Sequence, residues 1–239
     1  MKSIPDGSID AIITDPPYGT TACKWDSVIP FDLMWEQLNR IIKPNGAIVL
    51  FGSQPFTSVL INSNIRHFKH EWIWQKNKGS NFANLKTNPF KEHESIIVFG
   101  KNKINYYPIK QLRAESGQNR LKYKMRNKLS DINGGKFVNN GNEFYTNPDN
   151  EKRNPSSIQK FNTENGLHPT QKPVLLMEYL IKTYTNENEI VLDFTMGSGT
   201  TGVAAKNLNR NFIGIEMDDN YFNIATERIN KTESQLTMF

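Results

Sequence analysis

The sequence predicts an α/β protein built on a doubly wound, mostly parallel sheet. Short apolar runs rich in β-branched residues alternate with amphipathic stretches at helical spacing. The first of these runs ends abruptly in Asp15-Pro16-Pro17-Tyr18. Near the C-terminus, an apolar run, a glycine-rich turn, a helical stretch and a second run ending in an acid follow in that order.

Ile4–Ile9 reads as a turn, and residues 10–14 (DAIIT) as a buried strand. Two consecutive prolines stop that strand, because neither donates a ladder hydrogen bond and each holds the residue before it extended. Residues 31–43 place Leu33, Met34, Leu38, Ile41 and Ile42 near helical spacing, and Pro44-Asn45-Gly46 ends that helix. Residues 47–51 form the next strand. A second helix runs near 55–66, with Pro55 in its first turn. Residues 71–75 (EWIWQ) and 95–99 (SIIVF) read as two more strands. The stretch between them, 76–94, is too long for an ordinary connection and reads as a functional loop.

Residues 101–165 change character. Lys and Arg outnumber acids there by more than two to one, and aromatic residues, among them Tyr106, Tyr107, Tyr123, Phe137, Phe144 and Tyr145, are interleaved with the bases. Periodicity is poor, so this is expected to be an irregular, basic insertion. Cations there would neutralise phosphates, and the rings would stack on bases. After it, 174–185 reads as an amphipathic helix and 189–193 (EIVLD) as a strand. A glycine turn opens a helix that runs to about 208. Residues 211–216 (NFIGIE) form a strand and 218–231 the last helix. The expected organisation is two sheet halves, 1–100 and 166–239, separated by the 101–165 insertion.

Composition narrows the class. The 239 residues are long enough to bury a real core, and 37% are hydrophobic. No apolar run reaches the roughly 18 residues of a membrane span, and no secretory leader opens the chain. A single cysteine, Cys23, excludes an intrachain disulfide framework and fits a reducing, cytoplasmic compartment. Four scattered histidines give no metal-ligand spacing. The formal charge of +5 is compatible with a polyanionic partner.

The chemistry lies in two motifs. In open α/β sheets ligands bind beyond the carboxyl ends of strands, where Asp15–Tyr18 would present a carboxylate, bare carbonyls and a ring. Gly197 and Gly199 allow a tight turn and close ligand approach. Thr200 and Thr201 fall near a helix N-terminus, which favours an anion. Glu216 follows the glycines by about 20 residues, the spacing at which an acid reaches ribose hydroxyls. The turn is neither a P-loop nor Gly-x-Gly-x-x-Gly.

Asp15-Pro16-Pro17-Tyr18 together with Phe194-Thr195-Met196-Gly197-Ser198-Gly199 resembles the amino-DNA methyltransferase family. The order, with the tetrapeptide first and the cofactor motif last, resembles its β subgroup. His168–Pro173, Trp72–Lys76 and His93–Ile96 also resemble stretches of that subgroup. The resemblance implies a Rossmann-like methyltransferase fold with a target-recognition insertion. It further implies transfer of a methyl group from S-adenosylmethionine to the N6 amine of adenine in double-stranded DNA, after the base is flipped out. Asp15 and the Pro16 carbonyl would accept the two amine N–H bonds, Pro17 would stiffen the loop, and Tyr18 would stack on the base. The cofactor would be held by His168, Thr170, Lys172, Asp193, Phe194, Met196, Gly197, Ser198, Gly199, Thr200, Thr201 and Glu216. Within that set Glu216 is expected at the ribose, Asp193 and the glycine turn at the methionine end, and Lys172 and Thr200 at its carboxylate. Homodimerisation is expected by family analogy only.

The motif departs from the family where Phe194-Thr195 stands in place of Pro then Phe. A strand and an acid that the family carries before the Ile4-Pro5-Asp6 turn fall outside this sequence. The alternatives are N4-cytosine methylation and an inactive DNA-binding remnant. Cytosine C5 chemistry is disfavoured, because Cys23 lacks the proline context of a nucleophilic cysteine.

Overall fold

The computed structural model describes residues 1–20, 26–82, 85–114, 152–164, 166 and 170–232. Cys23, His168 and most of the basic insertion lie outside them. The described chain divides into two compact units, residues 1–107 with 156–239, and residues 108–155.

The larger unit holds a seven-stranded sheet. Its strands are β1 (Ile9–Thr14), β2 (Ile42–Gly52), β3 (Phe68–Gln75), β4 (His93–Phe99), β7 (Ile158–Lys160), β8 (Ile190–Asp193) and β9 (Asn211–Gly214). Their spatial order is β7-β3-β4-β2-β1-β8-β9. Only β4 runs against its neighbours; β2/β1, β1/β8, β8/β9 and β3/β7 pair in parallel. In the smaller unit β5 (Gln111–Leu112) and β6 (Lys152–Arg153) pair antiparallel.

Strict alternation sorts the strands' side chains onto two faces. Ala11, Ile13, Val49, Phe51, Trp72, Trp74, Ile96 and Val98 face one helical layer. That layer is α3 (Val174–Tyr184) and α4 (Thr200–Asn207), which bury Leu176, Leu180, Tyr184, Ala204 and Ala205. Ile12, Ile48, Leu50, Ile97, Phe99 and Leu192 face the other. There α1 (Phe31–Ile41) and α2 (Phe56–Ser63) bury Met34, Leu38, Ile41 and Leu60. The last helix, α5 (Asp219–Lys231), begins with the Asp218 side chain accepting the N–H groups of Asn220 and Tyr221.

Two expectations need adjusting. The first helix stops at Ile41 rather than Lys43, because Ile42 is already extended and paired with Ile9. Lys43–Gly46 then stand opposite Asp10 alone, three more residues on β2 than on β1: β1 advances from Ile9 to Ala11 while β2 advances from Ile42 to Ala47. Ile158–Lys160, expected within the irregular insertion, forms the edge strand beside β3.

The chain leaves β1 through α1 to reach β2 on one side. It leaves β8 through α4 to reach β9 on the other. The crossover direction reverses between β1 and β8, and the crevice at their carboxyl ends is the switch point at which such sheets bind ligands.

Candidate active site

A cavity of about 510 Å³ opens at that switch point. Asp15, Pro16, Pro17 and Tyr18 line it from the end of β1, and Asp193 through Ser198 from the end of β8. Thr170, Lys172, Thr200, Thr201 and Glu216 complete the expected set that reaches it. Residues 15 and 197, far apart in sequence, therefore share one pocket. Gly199 does not line it. Its φ of +77° shapes the turn, and its Cα faces Ala225 on α5, whose Cβ a new methyl would meet at 2.9 Å.

The β1 loop is held from several sides. Asp26 accepts the N–H groups of Tyr18, Gly19 and Thr20 at 2.8–2.9 Å. The Tyr18 ring stacks on Phe56, with centroids 5.0 Å apart. Its hydroxyl donates to Asp15 Oδ1 at 2.5 Å. Asp15 Oδ2 pairs with the Lys172 ammonium, so both oxygens have a partner. Lys172 also lies 3.5 Å from Glu94, which pairs with Lys76. This lysine–carboxylate chain is nearly enclosed: Lys172 is 8% exposed and Asp15 22% at the side chain.

Burial pushes the Asp15 carboxyl up from the ordinary carboxylate value, and the Lys172 charge only partly opposes it. Glu94 feels the same burial, but Lys172 and Lys76 together outweigh it and hold its pKa down. Lys172 is disfavoured by burial, yet its two carboxylate neighbours raise its pKa. Burial and the adjacent Asp15 push the Tyr18 phenol well up. At neutral pH Tyr18 is therefore a hydrogen-bond donor.

On the β8 side, Asp193 is engaged within the fold. It accepts from Thr14 Oγ1 at 2.6 Å, from the Thr195 N–H at 3.1 Å and from Thr201 Oγ1 at 2.5 Å. Burial pushes its carboxyl up to about 6, against the pull of those hydrogen bonds. Thr195 Oγ1 lies 2.6 Å from Thr14 Oγ1 and donates to the Asp15 carbonyl at 3.0 Å. These bonds tie the two motif turns together directly. Glu216 accepts the Gly197 N–H at 2.8 Å and the N–H groups of Met217 and Asp218 at 2.9 and 3.0 Å. A carboxylate offers about four acceptor positions, so Glu216, which lines the cavity, keeps capacity for a further hydrogen bond. Phe194 is 7% exposed, packed in the α1/α2 layer but still on the cavity wall.

Asp26, Glu94 and Thr195 were not singled out as site residues in the sequence. Each acts through a contact that no local spacing announces. Glu94 stands within the His93–Ile96 stretch, which marked the place without giving the role. Lys172, expected at an anion, is here the counter-ion of Asp15.

The family model described as DNA methylase, of the N6/N4 amino type, matches residues 9–227. The chain belongs to this family. As a DNA methylase of the N6-adenine or N4-cytosine type, it resembles several type II methyltransferases. It is 30% identical to M.HpaI of Haemophilus parainfluenzae, over 96% of this chain and 70% of that protein. M1.MboII of Moraxella bovis is 29% identical, over 98% of this chain and 94% of its own. Among solved structures, the M1.HpyAVI–SAM complex superposes with a TM-score of 0.61 at 32% identity, covering 92% of this methylase and 89% of that chain. The cytosine-N4-specific PvuII methyltransferase shares the fold at a TM-score of 0.58 and 17% identity. Among the described residues of the methylase, no helix is long and apolar enough to cross a membrane.

Proposed function

We propose that the protein transfers a methyl group from S-adenosylmethionine to the N6 amine of adenine in double-stranded DNA. The observation that carries this is the single cavity lined by Asp15–Tyr18 and by the 193–198 turn. Its donor set fits the cofactor. Glu216 suits ribose hydroxyls, Phe194, Met196 and Ile215 offer apolar walls for a ring, and the α4 N-terminus suits a carboxylate. When bound, the cofactor supplies a methyl on a sulfonium, whose departure as a neutral thioether drives the transfer.

The chain's own residues position the nucleophile. An exocyclic base amine is a poor nucleophile, because its lone pair is delocalised into the ring. Asp15 and the Pro16 carbonyl, beyond the last β1 ladder bond, would accept its two N–H bonds and favour a pyramidal nitrogen. The lone pair would then point toward the 193–198 turn, where the bound cofactor would supply the methyl group. The surplus amine proton leaves toward Asp15. Fixed dipoles placed where positive charge develops supply most of the effect. Tyr18, already in a ring stack, is placed to cover the base. The adenine assignment rests on the aspartate at position 15, which in this family leans toward adenine. The basic 101–165 insertion is proposed as the reader of the target sequence. The same family analogy supports a homodimer, and the single cysteine fits a reducing, cytoplasmic setting.

The test is tritiated methyl transfer to DNA from a methylation-free host, followed by mass spectrometry of the nucleosides. N6-methyladenine, lost in Asp15→Ala while calorimetric cofactor binding persists, is the expected outcome. N4-methylcytosine would reassign the base. Wild-type rates in Asp15→Ala would refute the mechanism.

A further inference from the structure

The reaction proposed above makes no use of the connection between β3 and β4. Its placement follows from topology. β4 runs against β2 and β3 runs against β4, so β3 points the same way as β1. The connection therefore rises from the sheet end that carries Asp15.

It is a built hairpin. The Lys76 N–H donates to the Glu92 carbonyl at 2.8 Å, and the Ser80 N–H to Lys91 at 3.2 Å. The Asn81 side chain clasps both arms: its Nδ2 donates to the Pro89 carbonyl and its Oδ1 accepts the Lys91 N–H, each at 2.8 Å. Gly79 lies against the Phe90 ring so closely that a Cβ would come within 2.3 Å of it. Yet this cross-linked frame holds an aromatic ring out to solvent. Phe82 is 67% exposed, edge-on to Phe90 with centroids 5.0 Å apart. Lys78 and Lys86 are exposed on the same hairpin.

We propose that this hairpin is a DNA contact, in which Phe82 seats against the base stack beside the extruded base and Lys78 and Lys86 neutralise flanking phosphates. The inference rests on the DNA methylation reading. Charge complementarity favours a nucleic acid over an apolar protein face, because the exposed rings stand among lysines. Removing one base from the stack bares the π-faces of its neighbours, and an exposed aromatic side chain can stack there in any sequence. A protein-binding role for the same rings would leave DNA affinity untouched.

The test does not require the target sequence. Fluorescence anisotropy would compare the full-length chain on a random-sequence duplex and on the same duplex with one abasic site. The wild type should prefer the abasic duplex, and Phe82→Ala should lose about tenfold on that duplex. Lys78→Ala with Lys86→Ala should weaken both duplexes alike and reduce the salt slope by about 2. Calorimetric cofactor binding should be unchanged in every variant. Wild-type affinity and preference in Phe82→Ala would overturn the inference, and so would a parallel loss of cofactor binding. If the wild type transferred no methyl group yet showed the abasic preference, the methylation reading would fail and the DNA contact would stand.

Discussion

Replacing Lys172 by Met tests the electrostatics of the site most directly. Methionine keeps the length of the stem and removes the ammonium, with both its charge and its hydrogen bonds. Asp15 and Glu94 would then face each other in a nearly enclosed space, with Asp15 deprived of its ion pair. Breaking a buried pair by removing one partner costs about 3–5 kcal/mol. For a chain of this size that lowers Tm by about 6–20 °C. The loss must depend on pH. Burial already raises the Asp15 carboxyl above its unfolded value, and losing the lysine raises it further. Above that pKa the variant carries an uncompensated buried charge. As pH falls through it, the folded state takes up a proton that the unfolded state does not, and the variant recovers toward the wild type. Calorimetric melts of both proteins at pH 8 and pH 5.5 read this out. The deficit should be large at the higher pH and clearly smaller at the lower. The acidic limb of the activity profile should also move to higher pH. A Tm within about 2 °C of the wild type at pH 8, or a deficit equal at both pH values, would refute the reasoning.

Two further outcomes are expected. Gly199→Ala forces a φ of +77° on an L-residue and drives its methyl within 3.0 Å of the Ala225 Cα; strain and overpacking together should cost about 2–5 kcal/mol, seen as a lower urea midpoint and weaker cofactor binding. The raised Asp193 pKa should make the wild type gain stability as pH falls from 7 to 5, part of a term worth about 3 kcal/mol in full, and Asp193→Asn should flatten that gain. Urea unfolding at the two pH values measures it, and an unchanged difference in the variant would count against a titrating Asp193.

The strands were legible because each alternates between two buried faces, and the motif turns because Pro-Pro and closely spaced glycines leave the chain few conformations. The helix–strand junction at Ile41/Ile42 was not, since an apolar residue there satisfies a helical stripe and a strand equally well. Parallel strand 158–160 was hidden because Ile158, Gln159 and Lys160 resemble surface sequence; what makes them a strand is the free edge of β3. The same holds within the site. Asp15 could be picked out locally, but its counter-ion arrives from Lys172, 157 positions later, and the second carboxylate on that lysine comes from β4. Pairings of this kind belong to the sheet order, which no short stretch of sequence contains.

The departure at 194–195 acquires a physical meaning from the hydrogens it requires. Thr195 Oγ1 reaches both the Asp15 carbonyl and Thr14 Oγ1, and Thr14 Oγ1 reaches Asp193. That is a line of three contacts served by two hydroxyl hydrogens. With Asp193 ionised, one contact must go without a proton. With Asp193 protonated, the line runs from its carboxyl through both threonines to the carbonyl, and every contact is filled. Burial lifts this carboxyl to about 6 against the lowering pull of the hydrogen bonds donated to it, and so favours the form in which the row is filled. The family's usual phenylalanine at position 195 has no hydroxyl to extend the line. In this chain the backbone of the Asp15 turn is therefore joined to Asp193 through two threonine hydroxyls, a row that a phenylalanine at position 195 would interrupt.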